Sequence, residues 1–253
     1  MAQLTSVHNR LLASLSQADA ELLIPQLRPI EFKVRHVFFK AHQPITTIVF
    51  PEAGFASVVA TSKTGESLEV GVIGSEGLVG VPVILGQERS PHESYAQIAG
   101  HGFQIKSEAL WATMKQSWPL ADVLLKFAYA FLVQVAHSAL ANGRFTIEER
   151  LARWLLMAHD RVDGDDVSLT HEFLSMMLGV RRSGVTTALQ SLERQQAVRA
   201  SRGHILICDR LALERIAGAC YGVPESELAR VGLAKGKAES PSARIGSTYQ
   251  KTA

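Results

Sequence analysis

The sequence predicts an α+β chain in three parts: an N-terminal antiparallel β-barrel of jelly-roll type, one long helix, and a C-terminal winged helix-turn-helix. Three observations carry this. From Ile30 to Ile98, short runs rich in β-branched and aromatic residues alternate with turn residues. From Leu120 onward, apolar residues keep a helical period for about seven turns. From Thr170 to Cys208, two amphipathic helical segments precede a hairpin. The implied organisation is 1–118 for the β domain with its N-terminal helices, 119–145 for the long helix, 146–228 for the C-terminal domain and 229–253 for a tail.

Between His8 and Leu27, the spacing of Leu11, Leu12, Leu15, Leu22, Leu23 and Leu27, with Ser16 and Asp19 at a break, fits two short helices. The expected strands are Ile30 to Phe32, His36 to Phe39, Thr47 to Phe50, Ala56 to Ala60, Ser67 to Val72 and Tyr95 to Ile98, separated by Pro44, Pro51, Gly54, Gly65 and Gly74. In the long helix, Leu120, Leu124, Phe127, Phe131, Val135 and Ser138 are spaced four, three, four, four and three apart. That is the seam two parallel helices bury against each other, and it is the expected dimer interface. Packing of the same seam on the chain's own β domain is the competing reading. Leu132, Val133 and Ala136 form a second apolar face, assigned here to covering the barrel.

Composition sets limits on function. A chain of 253 residues, 47% hydrophobic, can bury two modest cores. Its formal charge of +2 gives no general basis for binding nucleic acid, so that case must rest on local charge. The two cysteines, Cys208 and Cys220, are too few for a disulfide scaffold and fit a reducing compartment as a pair of buried thiols. The N-terminus lacks a basic segment followed by an apolar stretch and cleavage site, so the expected location is the cytoplasm. Asp122, Lys126, Gln134 and His137 interrupt Leu120 to Ala141, so no membrane span is expected there.

Local charge gathers near the C-terminus. Thr170 can cap a helix through Leu178 whose apolar face is Phe173, Leu174, Met177 and Leu178, and Gly179 ends it. A second helix, from Arg181 or Arg182 to about Gln195, buries Val185, Leu189 and Leu192 and turns Arg182, Ser183, Thr186, Thr187 and Gln190 outward. Ala197 to Ala200, the turn Ser201-Arg202-Gly203 and His204 to Cys208 make a hairpin, after which Asp209 can cap a last helix. Between Gly179 and Arg215 seven arginines face three carboxylates. They cluster at a helix start and a hairpin tip, where phosphate-bound elements want them. The predicted DNA-binding residues are Arg181, Arg182, Ser183, Thr186, Thr187, Gln190 and Arg202.

With these residues in view, the chain resembles the Crp/Fnr family of bacterial regulators as far as about Gly222. FPEAGFASVV and EVGVIGSEGLVG are placed as in that family's cyclic-nucleotide-binding-like barrel, and LTHEFLSMMLGVRRSGVTTALQSLE as in its helix-turn-helix. The resemblance implies a homodimer on a pseudo-palindromic DNA site, with RNA polymerase as a further partner and no membrane. It also places the family's three base-contacting positions on Arg182, Ser183 and Thr187. The last two depart from the usual glutamate and arginine, so the operator is expected to differ from the family consensus.

The effector is left open. Cyclic nucleotide binding in the family needs a glutamate after the glycine of a phosphate-cradling turn, but Val81 follows Gly80, and Arg89-Ser90 comes early and is followed by Pro91-His92-Glu93. Glu76 reads as a loop residue. An iron–sulfur cluster is excluded by the absence of cysteine before Cys208. Haem would need one of His36, His42, His92, His101 or His137, each of which has an ordinary role open to it. No cofactor is therefore expected, and a cyclic-nucleotide- or haem-responsive regulator is the alternative. A barrel-fold metal enzyme is the remotest reading: the chain has no His-x-His, no phosphate loop, no nucleophile elbow and no His-Glu-x-x-His.

Overall fold

The computed structural model describes residues 7–233. Helix α1 (Arg10–Ala13) is capped by Asn9, and α2 (Gln17–Leu23) by Ser16, whose hydroxyl accepts from the Asp19 backbone N–H. Five strands follow: β1 (Arg28–Phe32), β2 (Val37–Phe39), β3 (Thr47–Thr61), β4 (Ser67–Ile73) and β5 (Glu93–Lys106), with the short helix α3 (Val81–Ile84) before the last. They form one antiparallel sheet in the order β1-β5-β3-β4, with β2 also on β5.

Two details differ from the strand expectation. The sheet is open rather than closed by a ladder, and the runs expected as separate strands on either side of Pro51 and Gly54 are one strand. Register shifts between Pro51 and Ala56 absorb the proline and glycine and bend β3 and β5 together. The bent strands wrap around the core as a jelly roll does. Both faces of β3 are covered: Ala56 and Val58 join the core of the β domain, while Phe55 joins that of the C-terminal domain. This is why FASVV is a continuous apolar run instead of an alternation.

After α4 (Ser107–Gln116), the 27-residue α5 (Trp118–Arg144) is started by Ser117, whose hydroxyl accepts from the Leu120 N–H. By length and apolar composition α5 could cross a membrane, but it is packed as a core helix: Gln134 bonds both the N–H and the carbonyl of Val72 on β4. The glycines of EVGVIGSEG set its approach. A Cβ on Gly77 would lie 2.1 Å from the Phe127 ring, and one on Gly71 2.7 Å from the Phe131 ring, so both aromatics sit in slots a side chain would fill.

This packing puts the seam expected at a dimer interface against the chain's own β domain, which is the competing reading. Leu120, Leu124 and Phe127 are 0–2% exposed and belong to the β-domain core, Phe131 packs beside them, and Ser138 is buried with its hydroxyl on the Gln134 carbonyl. Val135 is half-buried. Of the face expected to cover the barrel, Leu132 is 63% exposed and Ala136 is exposed as well, while Val133 is half-buried.

The C-terminal domain contains α6 (Ile147–His159), β6 (Asp166–Ser168), α7 (His171–Leu178), α8 (Arg182–Arg194), β7 (Val198–Ser201), β8 (His204–Ile207), α9 (Arg210–Ala217) and α10 (Val223–Arg230). Its strands form a three-stranded sheet ordered β6-β8-β7. The expected tail begins too early. Residues 229–233 complete α10 and lead to Leu233, which with Leu228 is buried in the β-domain core, while Arg230 lies over the Tyr129 ring of α5. Residues 234–253 lie outside the described residues.

Candidate nucleic-acid interface

Local chemistry builds the helix-turn-helix. The Thr170 hydroxyl accepts from the Phe173 N–H at 3.2 Å and starts α7, and Gly179, left-handed at φ 60°, ends it. Thr170→Ala should cost about 1 kcal/mol of domain stability, measurable as a lowered urea midpoint. Arg181 occupies the cap of α8 but makes no side-chain cap bond, so the first N–H groups of α8 have no side chain across them. A helix start of this kind receives a phosphate.

The inner face of α8 buries Val185, Ala188, Leu189 and Leu192 in the domain core. The outer face carries the predicted residues. Arg181, Arg182, Ser183, Thr187 and Gln190 are exposed and Thr186 is half-buried. The Thr186 and Thr187 hydroxyls each donate 3.0 Å back to the carbonyl four residues earlier, leaving their oxygens as acceptors. Arg182 lies 2.6 Å from Glu172 of α7, with both side chains more than 60% exposed. An exposed pair of this kind is worth little, so it holds the guanidinium in place without withholding it.

The wing is fixed to this helix. Ala197 donates to the Leu192 carbonyl, and the Glu193 carboxylate accepts from the Ala200 N–H at 2.9 Å, which docks β7 against the end of α8. Glu193 thus positions the wing, a role that a count of carboxylates does not reveal. Arg202 is exposed in the β7–β8 turn, where Gly203 takes a φ of 81°.

The arginines divide into two sets. Arg181, Arg194, Arg199 and Arg202 are exposed and have no ion-pair partner among the described residues. Arg210 belongs elsewhere: it binds Asp160 at 2.8 Å, Glu214 at 2.9 Å and the Tyr221 hydroxyl at 2.9 Å, tying α9 to the end of α6. Arg215 faces Asp209 at 3.8 Å. Hence Arg194 and Arg199, absent from the sequence-based set, join the basic surface, and Arg210 leaves it.

The sensor positions are core-like. Val81 is buried in the β-domain core, a Cβ on Gly80 would lie 2.2 Å from Ile48, and Arg89 is exposed with its guanidinium on the His42 carbonyl. Neither a ribose-binding carboxylate nor an inward arginine stands there, so these residues do not fit a cyclic nucleotide held in the usual way. Glu76 lies in the loop after β4, as read, but it is buried there. It is 1% exposed and pairs with Arg161, two residues beyond the end of α6, at 2.6 Å and with Arg10 at 3.4 Å. The two thiols also differ: Cys220 is buried, as expected, but Cys208 is exposed.

The arrangement has known counterparts. Residues 149–216 match the Crp-like helix-turn-helix domain. A solved structure from Eubacterium rectale assigned to the Crp/Fnr family of transcriptional regulators aligns with a TM-score of 0.64 at 20% identity, covering 82% of this chain and 97% of that one. FixK2 from Bradyrhizobium japonicum aligns with a TM-score of 0.66 at 17% identity, covering 76% and 98%. A CRP-family transcriptional regulator from Thermus thermophilus gives 0.59 at 18%, covering 75% and 97%. No curated protein sequence matches. At these identities the structural likeness establishes fold, and the domain match establishes the motif. The chain therefore has the Crp/Fnr-type transcriptional regulator fold and carries a Crp-like helix-turn-helix domain over residues 149–216.

Proposed function

We propose that the protein is a homodimeric, sequence-specific DNA-binding transcription regulator of the cytoplasm, with a binding rather than an enzymatic role and RNA polymerase as its downstream partner. The observation that carries this reading is the outer face of α8. Its start has no side-chain cap, exposed Arg182 stands one residue inside it, and a wing with Arg199 and Arg202 is anchored beside it by Glu193. Such a helix enters the major groove with its N-terminal residues on base edges while the wing holds the backbone.

Dimerisation is assigned to the outer stripe of α5. Leu125, Tyr129, Leu132, Ala136 and Ala139 are spaced four, three, four and three apart, and Tyr129 and Leu132 are 49% and 63% exposed. Such a stripe suits a second copy of the same helix. Two recognition helices then read half-sites about 34 Å apart.

Selection of bound sites from random DNA, repeated with and without cyclic nucleotides and haem, tests the reading and searches for an effector. The expected product is an inverted repeat bound by a dimer. A monomer without salt-dependent DNA retention would overturn it. On the selected site, Arg182→Ala should lose about 1 to 3 kcal/mol and relax preference at one base pair, whereas Arg202→Ala should weaken specific and random DNA alike. Titration of each variant on both DNAs separates the two roles.

A further inference from the structure

Beneath the helix-turn-helix, the β sheet presents a polar patch that DNA binding does not use. Ser57 on β3, Glu69 on β4 and Gln97 on β5 are 0%, 6% and 2% exposed, under the cover of α6 and α7. The indole N–H of Trp154, from α6, donates to Glu69 Oε1 at 2.6 Å. Ser57 Oγ lies 2.5 Å from Glu69 Oε2, 3.0 Å from Gln97 Oε1 and 4.0 Å from the Met177 sulfur of α7. A carboxyl group of the β domain is thus buried by the DNA-binding domain and bonded to it.

No cation pairs with this carboxyl among the described residues. The charges that bear on it are Arg153 of α6 and Arg161 of the turn after α6, but Arg153 bonds Ser138 and Arg161 is engaged with Glu76. From β5 comes the Tyr95 hydroxyl, which is buried without a hydrogen-bond partner, and α7 brings the uncharged Met177. Gln134 of α5 is already committed to Val72.

Proton counting then separates two states of the group: neutral with the Gln97 amide as placed, or ionised with that amide turned so that its Nε2, partnerless as placed, donates to Ser57 Oγ. Ser57 has one hydroxyl proton and two oxygen neighbours, so an ionised Glu69 leaves two acceptors facing each other. A neutral carboxyl completes the chain: Glu69 Oε2 donates to Ser57 Oγ, Ser57 donates to Gln97 Oε1, and Trp154 donates to Glu69 Oε1. An ionised carboxylate restores the count only if the Gln97 amide turns over.

We propose that the hold of the DNA-binding domain on the β sheet is proton-linked at Glu69, which is neutral while α6 and α7 cover it and weakens their docking when it ionises. Burial supports this direction, raising the carboxyl from its ordinary 4.5 to about 7 against the opposing hydrogen bonds of Ser57 and Trp154. The sign follows from linkage. A group whose pKa is raised by docking favours the docked state fully below its free value. It loses that contribution as the pH climbs to the docked value, by up to about tenfold per pH unit, and nothing further is lost above it.

The test reads the contact itself in the full-length protein. Nitrogen–proton correlation spectra follow the Trp154 indole N–H, identified by its absence in Trp154→Phe, as the pH is raised. We expect this resonance to titrate with a midpoint near 7. Hydrogen exchange of α7 amides, corrected for intrinsic rates, should lose protection below that midpoint by up to about tenfold per pH unit and level off above it. Glu69→Gln should show neither effect. An indole resonance that does not move, or the same titration in Glu69→Gln, would overturn the proposal. The indole measurement uses the unmutated chain, so it stands even if Glu69→Gln fails to fold. No DNA enters the experiment, so its failure is separate from failure of the operator-binding reading.

Discussion

Arg161→Met is expected to destabilise the protein by about 3–5 kcal/mol, because it strips the main partner from a carboxylate that has no route to water. Glu76 and Arg161 have side-chain exposures of 2% and 3% and meet at 2.6 Å. Without Arg161, Glu76 keeps only the Gly74 N–H at 3.2 Å and the longer contact to Arg10 at 3.4 Å. The double change Glu76→Leu with Arg161→Met removes the stranded carboxylate but takes the ion-pair partner from Arg10, whose side chain is 18% exposed, so it should recover part of the loss and not all of it. Urea denaturation of the two variants beside the unmutated protein checks this. If the single and double changes cost the same, the stranded charge is not the cause.

The second large effect separates the two faces of α5. Phe127→Ala should cost about 3–5 kcal/mol of folding stability, since the ring is 2% exposed and fills the slot over Gly77. Leu132→Asp should change folding stability by no more than about 0.5 kcal/mol, as surface substitutions do, yet abolish self-association by placing a charge in the outer stripe. Denaturation measured below the dimer dissociation range, together with sedimentation, distinguishes the outcomes. If Phe127→Ala dissociated the dimer and spared the monomer's fold, the seam read from the sequence would stand and the outer stripe would fall.

These two cases also show where sequence reading reaches and where it stops. The helix-turn-helix was legible because its signals are local: Thr170 and Gly179 bound one helix, Val185, Leu189 and Leu192 mark the buried face of the next, and Asp209 caps α9, though α10 beyond it was not expected. Most strands were legible from their composition. The faces of α5 were not, because both are apolar and the choice depends on glycines some fifty residues away in sequence, at Gly71 and Gly77. Glu76 was rightly read as a loop residue, but its burial was not legible because its partner Arg161 lies 85 positions on. Arg210 was counted with the basic surface because its claim on Asp160 and Tyr221 exists only after folding. Pro51 and Gly54 looked like strand ends because register shifts that absorb them leave no mark on one strand alone.

The glycine slots under α5 carry a consequence for how this chain can diverge. Phe127 and Gly77 are a matched pair, as are Phe131 and Gly71: enlarging one member demands shrinking the other. Substitutions there should travel together among descendants of this sequence, whereas the outer stripe, in the proposed dimer, has only to suit its own copy. On the proposed dimer, one helix is held to two independent clocks, its inner face changing only in step with the sheet and its outer face only in step with itself.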